Sequence, residues 1–209
     1  MVQKIKNRKS IVLKKLFTIL LLLGAAALFG LEPLVHEINL LKASGMEHGV
    51  GRTWYWRPMK KVPAGCSLEW SETGTGKSLK SLRINYTGAS KGNIARWFQK
   101  AVLCGDSGNL KLSGNYRVNR GKKAGRIVLK FIISENDSKK HKERDLTALT
   151  LANYTIGKWQ SFSKNIKIPA GTKSVFVVLE AFPGSDVYFD DIELFQRNIK
   201  TPTVNHKLK

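Results

Sequence analysis

Side chains that could perform acid–base or metal chemistry are few in this sequence, and their spacing does not bring them together. Glu69 and Glu72 could act as a pair of carboxylates, but they flank a predicted turn. The four histidines lack the spacing of metal ligands; they are His36, His48, His141 and His206. No nucleophile pairs convincingly with a base. These residues therefore predict a binding protein and not an enzyme.

One glycine-rich segment has some letters of a phosphate-binding loop. The segment 74–78 reads GTGKS, but that loop needs a further glycine at the position of Ser71. No helical pattern follows the segment either. We therefore expect a turn here and no nucleotide site.

The aromatic cluster Trp54-Tyr55-Trp56 is the most concentrated candidate for ligand contact. In an extended chain, Trp54 and Trp56 lie on one face and Tyr55 on the other. One of these faces could be a ligand platform. Alternatively, the rings close the open end of a sandwich as part of the core.

Two strand-like segments place basic, polar and aromatic side chains together. Arg96, Phe98 and Lys100 share one parity, while the opposite parity of that segment is apolar and predicts core. In the following strand, Asn115 and Arg117 are predicted to face outward. An arginine fork matches a carboxylate or sulfate, which favours an anionic glycan as ligand. A solvated basic face without a ligand is the alternative.

The elements that position these residues are predicted to be strands. From residue 38 onward the apolar period is two, and glycine-rich turns separate the segments. This pattern predicts an all-β antiparallel sandwich. The predicted strands are Ile38–Lys42, Cys66–Trp70, Ser81–Tyr86, Ala95–Leu103, Leu110–Val118, Ile127–Ser134, Trp159–Ile168, Ser174–Ala181 and Val187–Phe195. The polar segment Glu135–Arg144 is predicted to be a mobile loop.

The charge of the chain points to acidic partners. The 209 residues carry a formal charge of +21. Between Pro33 and Phe195 there are 26 basic and 14 acidic residues, so this part alone is about +12. Such a surface attracts polyanions, among them acidic polysaccharides and anionic lipids. We do not expect nucleic acid to be the partner. A basic surface that serves only solubility is the alternative.

The N-terminus resembles a membrane signal-anchor. Residues 1–15 are basic, and residues 16–31 contain no charge. Extended to residue 35, the apolar segment predicts a transmembrane helix, with its basic flank in the cytoplasm. Residues 36–196 would then be a folded domain in the periplasm or outside the cell, followed by a disordered basic tail, 197–209. A cleaved signal peptide is the alternative, with small residues at Ala25–Ala27.

The order of several short motifs resembles carbohydrate-binding modules with the galactose-binding-like jelly roll. The opening is similar at 39–41 (NLL) and 45–47 (GME). The middle is similar at 99–103 (QKAVL) and 110–114 (LKLSG), and the end at 168–172 (IPAGT) and 189–194 (FDDIEL). The resemblance covers about residues 38–195. It implies a jelly-roll sandwich and sugar binding on aromatic faces.

Two residues depart from the pattern of those modules. Met46 replaces the usual aromatic residue of the opening turn, and Asn115 stands where relatives often carry an aromatic residue on the sugar-facing strand. The loss of aromatic platforms weakens the case for a neutral glycan.

The same resemblance implies a structural calcium ion. In those modules a glutamate near the first strand and an aspartate near the last often hold calcium, and the matching residues are Glu47 and Asp190 or Asp191. Hard oxygen ligands suit calcium. Adjacent residues of a strand point to opposite faces, so only one aspartate should face the site. Alternatively, an aspartate here accepts hydrogen bonds from backbone amides of a neighbouring turn.

The thiols are Cys66 and Cys104. An even number of cysteines in an exported domain permits one disulfide between them. Two free thiols are the alternative, because the spacing does not fix their distance.

Together these observations predict a membrane-tethered, non-catalytic module that binds a polysaccharide, most plausibly an acidic one, outside the cytosol. The alternative is a structural or interaction subunit of a membrane protein assembly that binds no glycan.

Overall fold

The computed structural model describes residues 35–47, 55–88, 93–104, 108–133 and 142–199. All of these residues except Ile199 belong to one compact unit, Val35–Asn198. Residues 16–34 of the predicted anchor and almost all of the predicted tail lie outside the described residues, whereas Val35, the last residue of the predicted anchor, begins a strand. Within the described part of the chain, no helix is long and apolar enough to cross a membrane.

The described residues form strands and no helices. The strands are β1 (Val35–Asn39), β2 (Arg57–Pro58), β3 (Cys66–Ser71), β4 (Ser81–Tyr86), β5 (Ala95–Val102), β6 (Asn109–Arg120), β7 (Gly125–Ile133), β8 (Lys142–Thr150), β9 (Trp159–Lys167), β10 (Ser174–Ala181) and β11 (Ser185–Ile199). Burial alternates along them, most regularly in β5 and β6. Each of these strands therefore presents one face to the core and one to the outside.

Two sheets make up the fold. The six-stranded sheet has the order β3-β4-β11-β6-β9, with β1 paired to β11, and the five-stranded sheet has the order β2-β5-β10-β7-β8. All the recorded strand registers are antiparallel. The predicted all-β antiparallel sandwich is confirmed.

The core lies between the sheets and is formed by their inward-facing residues. The six-stranded sheet contributes residues such as Leu82, Ile84 and Phe189, and the five-stranded sheet contributes residues such as Leu129 and Leu179, all with no exposed surface. Burial of such side chains stabilises by about 1.5–3 kcal/mol each. This apolar layer fixes which side of every strand is available to a ligand.

A bulge interrupts the pairing of β6 with β11 next to the predicted aspartates. The register shifts between Asp190 and Glu193, and Asp191 has a positive φ of 49°. Gly114 lies opposite the bulge, where a Cβ would be 2.6 Å from Cδ1 of Ile192. A Cβ would also be 3.1 Å from the Asp191 carbonyl oxygen, so glycine eases the close approach of β6 to β11 at this point.

The structure differs from the predicted elements most in four places. β1 is Val35–Asn39, three residues earlier than the predicted strand Ile38–Lys42. β2 and β8 were not predicted, and the first residues of β8 belong to the segment predicted to be a loop. β8 is an edge strand with a polar sequence, so its apolar alternation is weak. At the C-terminus, β11 extends to Ile199 and includes the start of the predicted tail.

Candidate functional site

The two predicted ligand-facing strands lie in different sheets. Arg96 and Phe98 are on the outer face of β5 in the five-stranded sheet, whereas Asn115 and Arg117 are on the outer face of β6 in the six-stranded sheet. The predicted parities are as observed, but the two faces point away from each other. The expectation that all four residues line one site is therefore wrong.

The outer face of the five-stranded sheet carries an open groove of about 700 Å³ at the edge where β2 pairs with β5. Its walls combine aromatic rings and cationic side chains from four segments. The residues that carry these groups are Lys42, Tyr55, Arg57, Phe98, Lys100 and Phe176. This groove is the candidate functional site.

A pair of phenylalanines forms the apolar floor of the groove. Phe98 on β5 and Phe176 on β10 have ring centroids 6.3 Å apart, with the ring planes tilted by 60°. Along β5 and β10 the side chains alternate between the core and the outer face. Phe98, opposite Val178, and Phe176, opposite Lys100, are at positions that face outward. Both rings are half-buried. An apolar floor of this kind can pack against the C–H face of a sugar ring.

A buried glutamine fixes one wall of the groove. Oε1 of Gln99 accepts a hydrogen bond of 2.8 Å from the backbone N–H of Lys42, and its Nε2 donates one of 3.0 Å to the Lys42 carbonyl. The segment after β1 is thereby attached to β5. Nζ of Lys42 lies 5.5 Å from the ring centroid of Tyr55, which is within the range of a cation–π contact.

Trp56, one of the two tryptophans predicted as a platform, does not line the groove. Trp56 is 1% exposed and belongs to the core, so its predicted role as an exposed ligand platform is corrected to the alternative, a plug of the sandwich. Tyr55, which points the other way, is 37% exposed and lines the groove. Trp54 lies outside the described residues. The alternation along this cluster was predicted, but not which of its faces meets solvent.

A buried carboxylate on the outer face of the five-stranded sheet binds two arginines from the neighbouring strands. Glu180 on β10 is 0% exposed. Its two oxygens accept hydrogen bonds from Nε of Arg96 on β5, at 2.8 Å, and from Nε of Arg126 on β7. The predicted ligand contact Arg96 thus has its Nε occupied by a neighbouring strand. Glu180 was not predicted, although an acid within the apolar run of β10 was a signal for a paired buried charge.

On the opposite sheet, Asn115 is engaged within the protein. Its Nδ2 donates to Oδ2 of Asp191 at 3.1 Å, and its Oδ1 accepts a hydrogen bond of 2.7 Å from the Ser161 hydroxyl. Met46, the other departure from the resembling modules, has no exposed surface and lies in the core. Neither residue provides an exposed aromatic platform.

The predicted calcium ligands surround the glycine-rich turn 74–78. Asp190 is 0% exposed, and its Oδ2 accepts hydrogen bonds from the backbone N–H of Thr75, at 2.9 Å, and from the Ser78 hydroxyl. Burial raises the pKa of Asp190 to about 6, opposed by these hydrogen bonds. Oε1 of Glu47 accepts the N–H groups of Leu79 and Lys80 at 2.6 and 2.8 Å. The alternative interpretation, carboxylates that bind the amides of a neighbouring turn, describes these contacts.

Both aspartates reach the same residue, which corrects the expectation that only one of them could. Oδ2 of Asp191 accepts a hydrogen bond of 2.9 Å from the Thr75 hydroxyl, while Asp190 binds the Thr75 backbone. The positive φ of Asp191 breaks the strand alternation and turns its side chain toward the turn. The turn itself needs Gly74, because a Cβ there would be 2.1 Å from the Ser78 carbonyl oxygen.

The donor chemistry of this region is compatible with calcium. Among the described residues, no group of three or more His, Cys, Asp or Glu side chains is arranged to hold a metal. However, a Cβ on Gly45 would be 3.6 Å from Oδ1 of Asp191 and 4.0 Å from the Cγ methylene of Glu47, so both acidic side chains pass close to Gly45. Calcium accepts backbone carbonyls beside carboxylates. The calcium ion therefore stays a prediction.

The cysteines do not pair. Both are free in the structure. Cys66 is opposite Tyr86, which is opposite Ser185 at the start of β11, whereas the backbone N–H of Cys104 bonds Oε1 of Gln196 near its end. That length of β11 is roughly 36 Å at ~3.3 Å per residue, and a disulfide needs Cα atoms within about 7 Å. The predicted disulfide is therefore wrong.

Comparison with known proteins supports the fold. No protein-family model matches the sequence, and no curated protein matches it. Among solved structures, the CBM22-1 xylan-binding domain of Paenibacillus barcinonensis Xyn10C matches with a TM-score of 0.50 and 13% identity, covering 78% of this chain and 96% of that one. The CBM22-1–CBM22-2 tandem domain of the same protein matches with a TM-score of 0.51 and 18% identity over 75% of this chain and half of that one.

The enzymatically active domain of the bacteriophage CBA120 tailspike protein 4 is also similar, with a TM-score of 0.53 and 9% identity over 75% of this chain. This chain spans only 21% of the tailspike chain. At these identities the similarity shows the fold alone. The chain therefore has the β-sandwich fold found in carbohydrate-binding modules, and its function has to be argued from its own residues.

Proposed function

We propose that this protein is a non-catalytic, membrane-tethered module that binds a polysaccharide, most plausibly an acidic one, outside the cytosol. The groove on the outer face of the five-stranded sheet would hold the polymer. The observation that carries the proposal is the pair Phe98 and Phe176, half-buried side by side in the groove between cationic side chains. The fold, shared with carbohydrate-binding modules, supports the same function by analogy.

The rings explain how the groove could retain a sugar. A pyranose has one apolar face of C–H groups, and half-buried aromatic rings remove that face from water. Tyr55 adds a third ring to the wall and carries a hydroxyl that can bond the sugar hydroxyls. Because the groove is open to solvent, it can bind an internal segment of a polysaccharide and does not require a chain end.

The charges explain why an acidic polymer is favoured. Lys42, Arg57 and Lys100 line the groove, and none of them forms an ion pair with an acid in the described part of the chain. Their charges are therefore available to a ligand. Exposed charges of one sign attract a polyanion from a distance, and this attraction weakens as salt screens it.

Affinity electrophoresis of the full-length protein in mild detergent, with neutral and acidic polysaccharides in the gel, tests the proposal. We expect acidic polymers to retard the protein, and the F98A variant to be retarded less. The I156S variant is a matched control, because Ile156 is an exposed apolar residue outside the groove. Added salt should weaken binding of acidic polymers more than of neutral ones.

Failure to bind any polysaccharide would refute this function. A partner protein that co-purifies stoichiometrically in mild detergent would then favour the alternative, an interaction subunit of a membrane assembly. Retardation by neutral polymers alone would keep the glycan-binding function and remove the acidic specificity. Equal effects of F98A and I156S would show that the groove is not the site.

A further inference from the structure

A row of five directly opposed residues crosses the outer face of the six-stranded sheet, on the side away from the groove. Each member is the register partner of the next, through β3, β4, β11, β6 and β9 in turn. The row reads Glu69, Arg83, Tyr188, Arg117 and Trp159. Directly opposed residues of a sheet share one face, so these side chains are neighbours.

The two arginines of this row have different surroundings. Arg83 donates Nε to Oδ1 of Asp186 at 2.8 Å and Nη2 to Oδ2 at 3.0 Å, and its Nη1 bonds Glu69 at 3.0 Å. Hydrogen bonding to Asp186 raises the pKa of Arg83 further above its usual range. Arg117 forms no ion pair with any described acid, and its Nε is buried without a hydrogen-bond partner among the described residues. Arg83 is thus neutralised within the protein, whereas the charge of Arg117 is not.

Aromatic rings hold the guanidinium of Arg117 in place. Its Cζ lies 4.2 Å from the ring centroid of Tyr188 and 5.2 Å from that of Trp159. The two rings are 6.5 Å apart and nearly perpendicular. Cation–π contacts at these distances restrict the side chain before any ligand arrives, which lowers the entropy lost on binding. Since Nε is buried, the two terminal N–H groups, Nη1 and Nη2, are the donors that an anion would bind.

Trp159 lies at the edge of its sheet. β9 is the edge strand, so among the described residues no further strand flanks Trp159 on that side. By alternation, Ser161 and Ser163 follow Trp159 on the same face, and both are exposed. Small hydroxyl side chains next to a partly exposed indole leave a shallow polar shelf and not a packed surface.

We propose that Arg117 and Trp159 form a second binding site, separate from the groove, for a carboxylated sugar residue. The carboxylate of a uronic acid would bind the edge of the Arg117 guanidinium, and the sugar ring would pack against the Trp159 indole. A planar carboxylate matches the guanidinium fork, and a charge-assisted bidentate contact is among the stronger hydrogen-bonded pairs. The site lies on the opposite sheet from Phe98, so it does not depend on the groove.

Fluorine NMR of full-length protein labelled with 5-fluorotryptophan, in detergent micelles, reads this site directly. The W159F variant assigns the Trp159 resonance. We expect a galacturonic acid oligosaccharide to shift that resonance, and its methyl ester to leave it in place. R117Q should weaken binding at least about tenfold, the loss expected for a hydrogen bond to a charged group. F98A should not change the response of Trp159.

Two variants control for charge and for folding. K111Q removes the same charge from the outer face of the same strand, and it should bind within about twofold of the wild type because general attraction alone is weak and screened. R117K keeps the charge and the aliphatic stem, so it should stay folded, yet it lacks the fork and should bind as weakly as R117Q.

The proposal is overturned by any of five results. Four of them are an unmoved Trp159 resonance, an equal shift with the methyl ester, equal losses in R117Q and K111Q, and full binding by R117K. The fifth is competition by inorganic phosphate as strongly as by the uronate, which would refute a carboxylate-specific site. Because the signal belongs to Trp159, failure of the polysaccharide to bind the groove would leave this test intact.

Discussion

Asp190 and Asp191 both bind Thr75, one through its backbone N–H and the other through its hydroxyl. This shared contact joins the last strand to the turn between β3 and β4. It places two carboxylates close together, one of them fully buried, and no described basic side chain pairs with either. Neighbouring like charges without a cation are unfavourable in a protein interior.

A calcium ion at this point would relieve that repulsion. We expect the full-length protein in detergent to melt at a higher temperature with excess calcium than with chelator at fixed ionic strength. Binding to the native state alone stabilises by about 2.7 kcal/mol at a hundredfold excess over the dissociation constant. The D191N variant should lose most of the difference. Superimposable melting curves would remove calcium from this protein.

Replacement of Glu180 should destabilise the five-stranded sheet. E180Q leaves Arg96 and Arg126, on either side of β10, without the carboxylate that both of them bind. We expect the free energy of unfolding to fall by roughly 1–3 kcal/mol, the range for hydrogen bonds to charged groups. Urea unfolding measures this. E193Q is the control, because Glu193 is half-buried on the other sheet, and an equal loss there would contradict the assigned role of Glu180.

The two cysteines should differ in reactivity. Burial raises the pKa of the Cys66 thiol to about 11, so it remains protonated at pH 8 to 9. Since the thiolate is the reactive form, a C104S variant that retains only Cys66 should react slowly with iodoacetamide. A C66S variant retains the exposed Cys104 and should react faster. A reducing agent should leave the melting temperature unchanged, whereas a clear decrease would indicate a disulfide.

The topology of the chain can be tested with fusions. The basic residues before residue 16 predict that the N-terminus stays in the cytoplasm and that the domain crosses the membrane. Alkaline phosphatase fused after Lys209 should be active, and a cytosolic reporter at the same position should not be. Neutralising the six basic residues of the first fifteen should reduce export. Activity of only the cytosolic reporter would exclude an extracytosolic polysaccharide as partner.

The strands were predictable because apolar and polar residues alternate along a strand that has one buried face. Both ends of Ser81–Tyr86 and of Ser174–Ala181 were predicted to the residue. Which sheet each strand joins was not predictable. β5 and β6 are consecutive, yet they belong to opposite layers, so parity alone could not tell that Phe98 and Arg117 face apart. The buried Glu180 escaped prediction for a related reason, since its partners come from two strands that are distant in sequence.

The amide of Gln99 has a mechanical consequence. β1 pairs with the C-terminal half of β11, and the Leu40 N–H bonds the Leu194 carbonyl. Tension applied through Val35 would therefore peel β1 from β11 one hydrogen bond at a time, a direction in which a strand offers little resistance. The peeling would then reach Lys42, where both amide atoms of Gln99 hold the chain at once. We therefore expect β1 to detach first and the detachment to stop at these two hydrogen bonds. The wall of the groove would then stay in place after β1 has separated from β11.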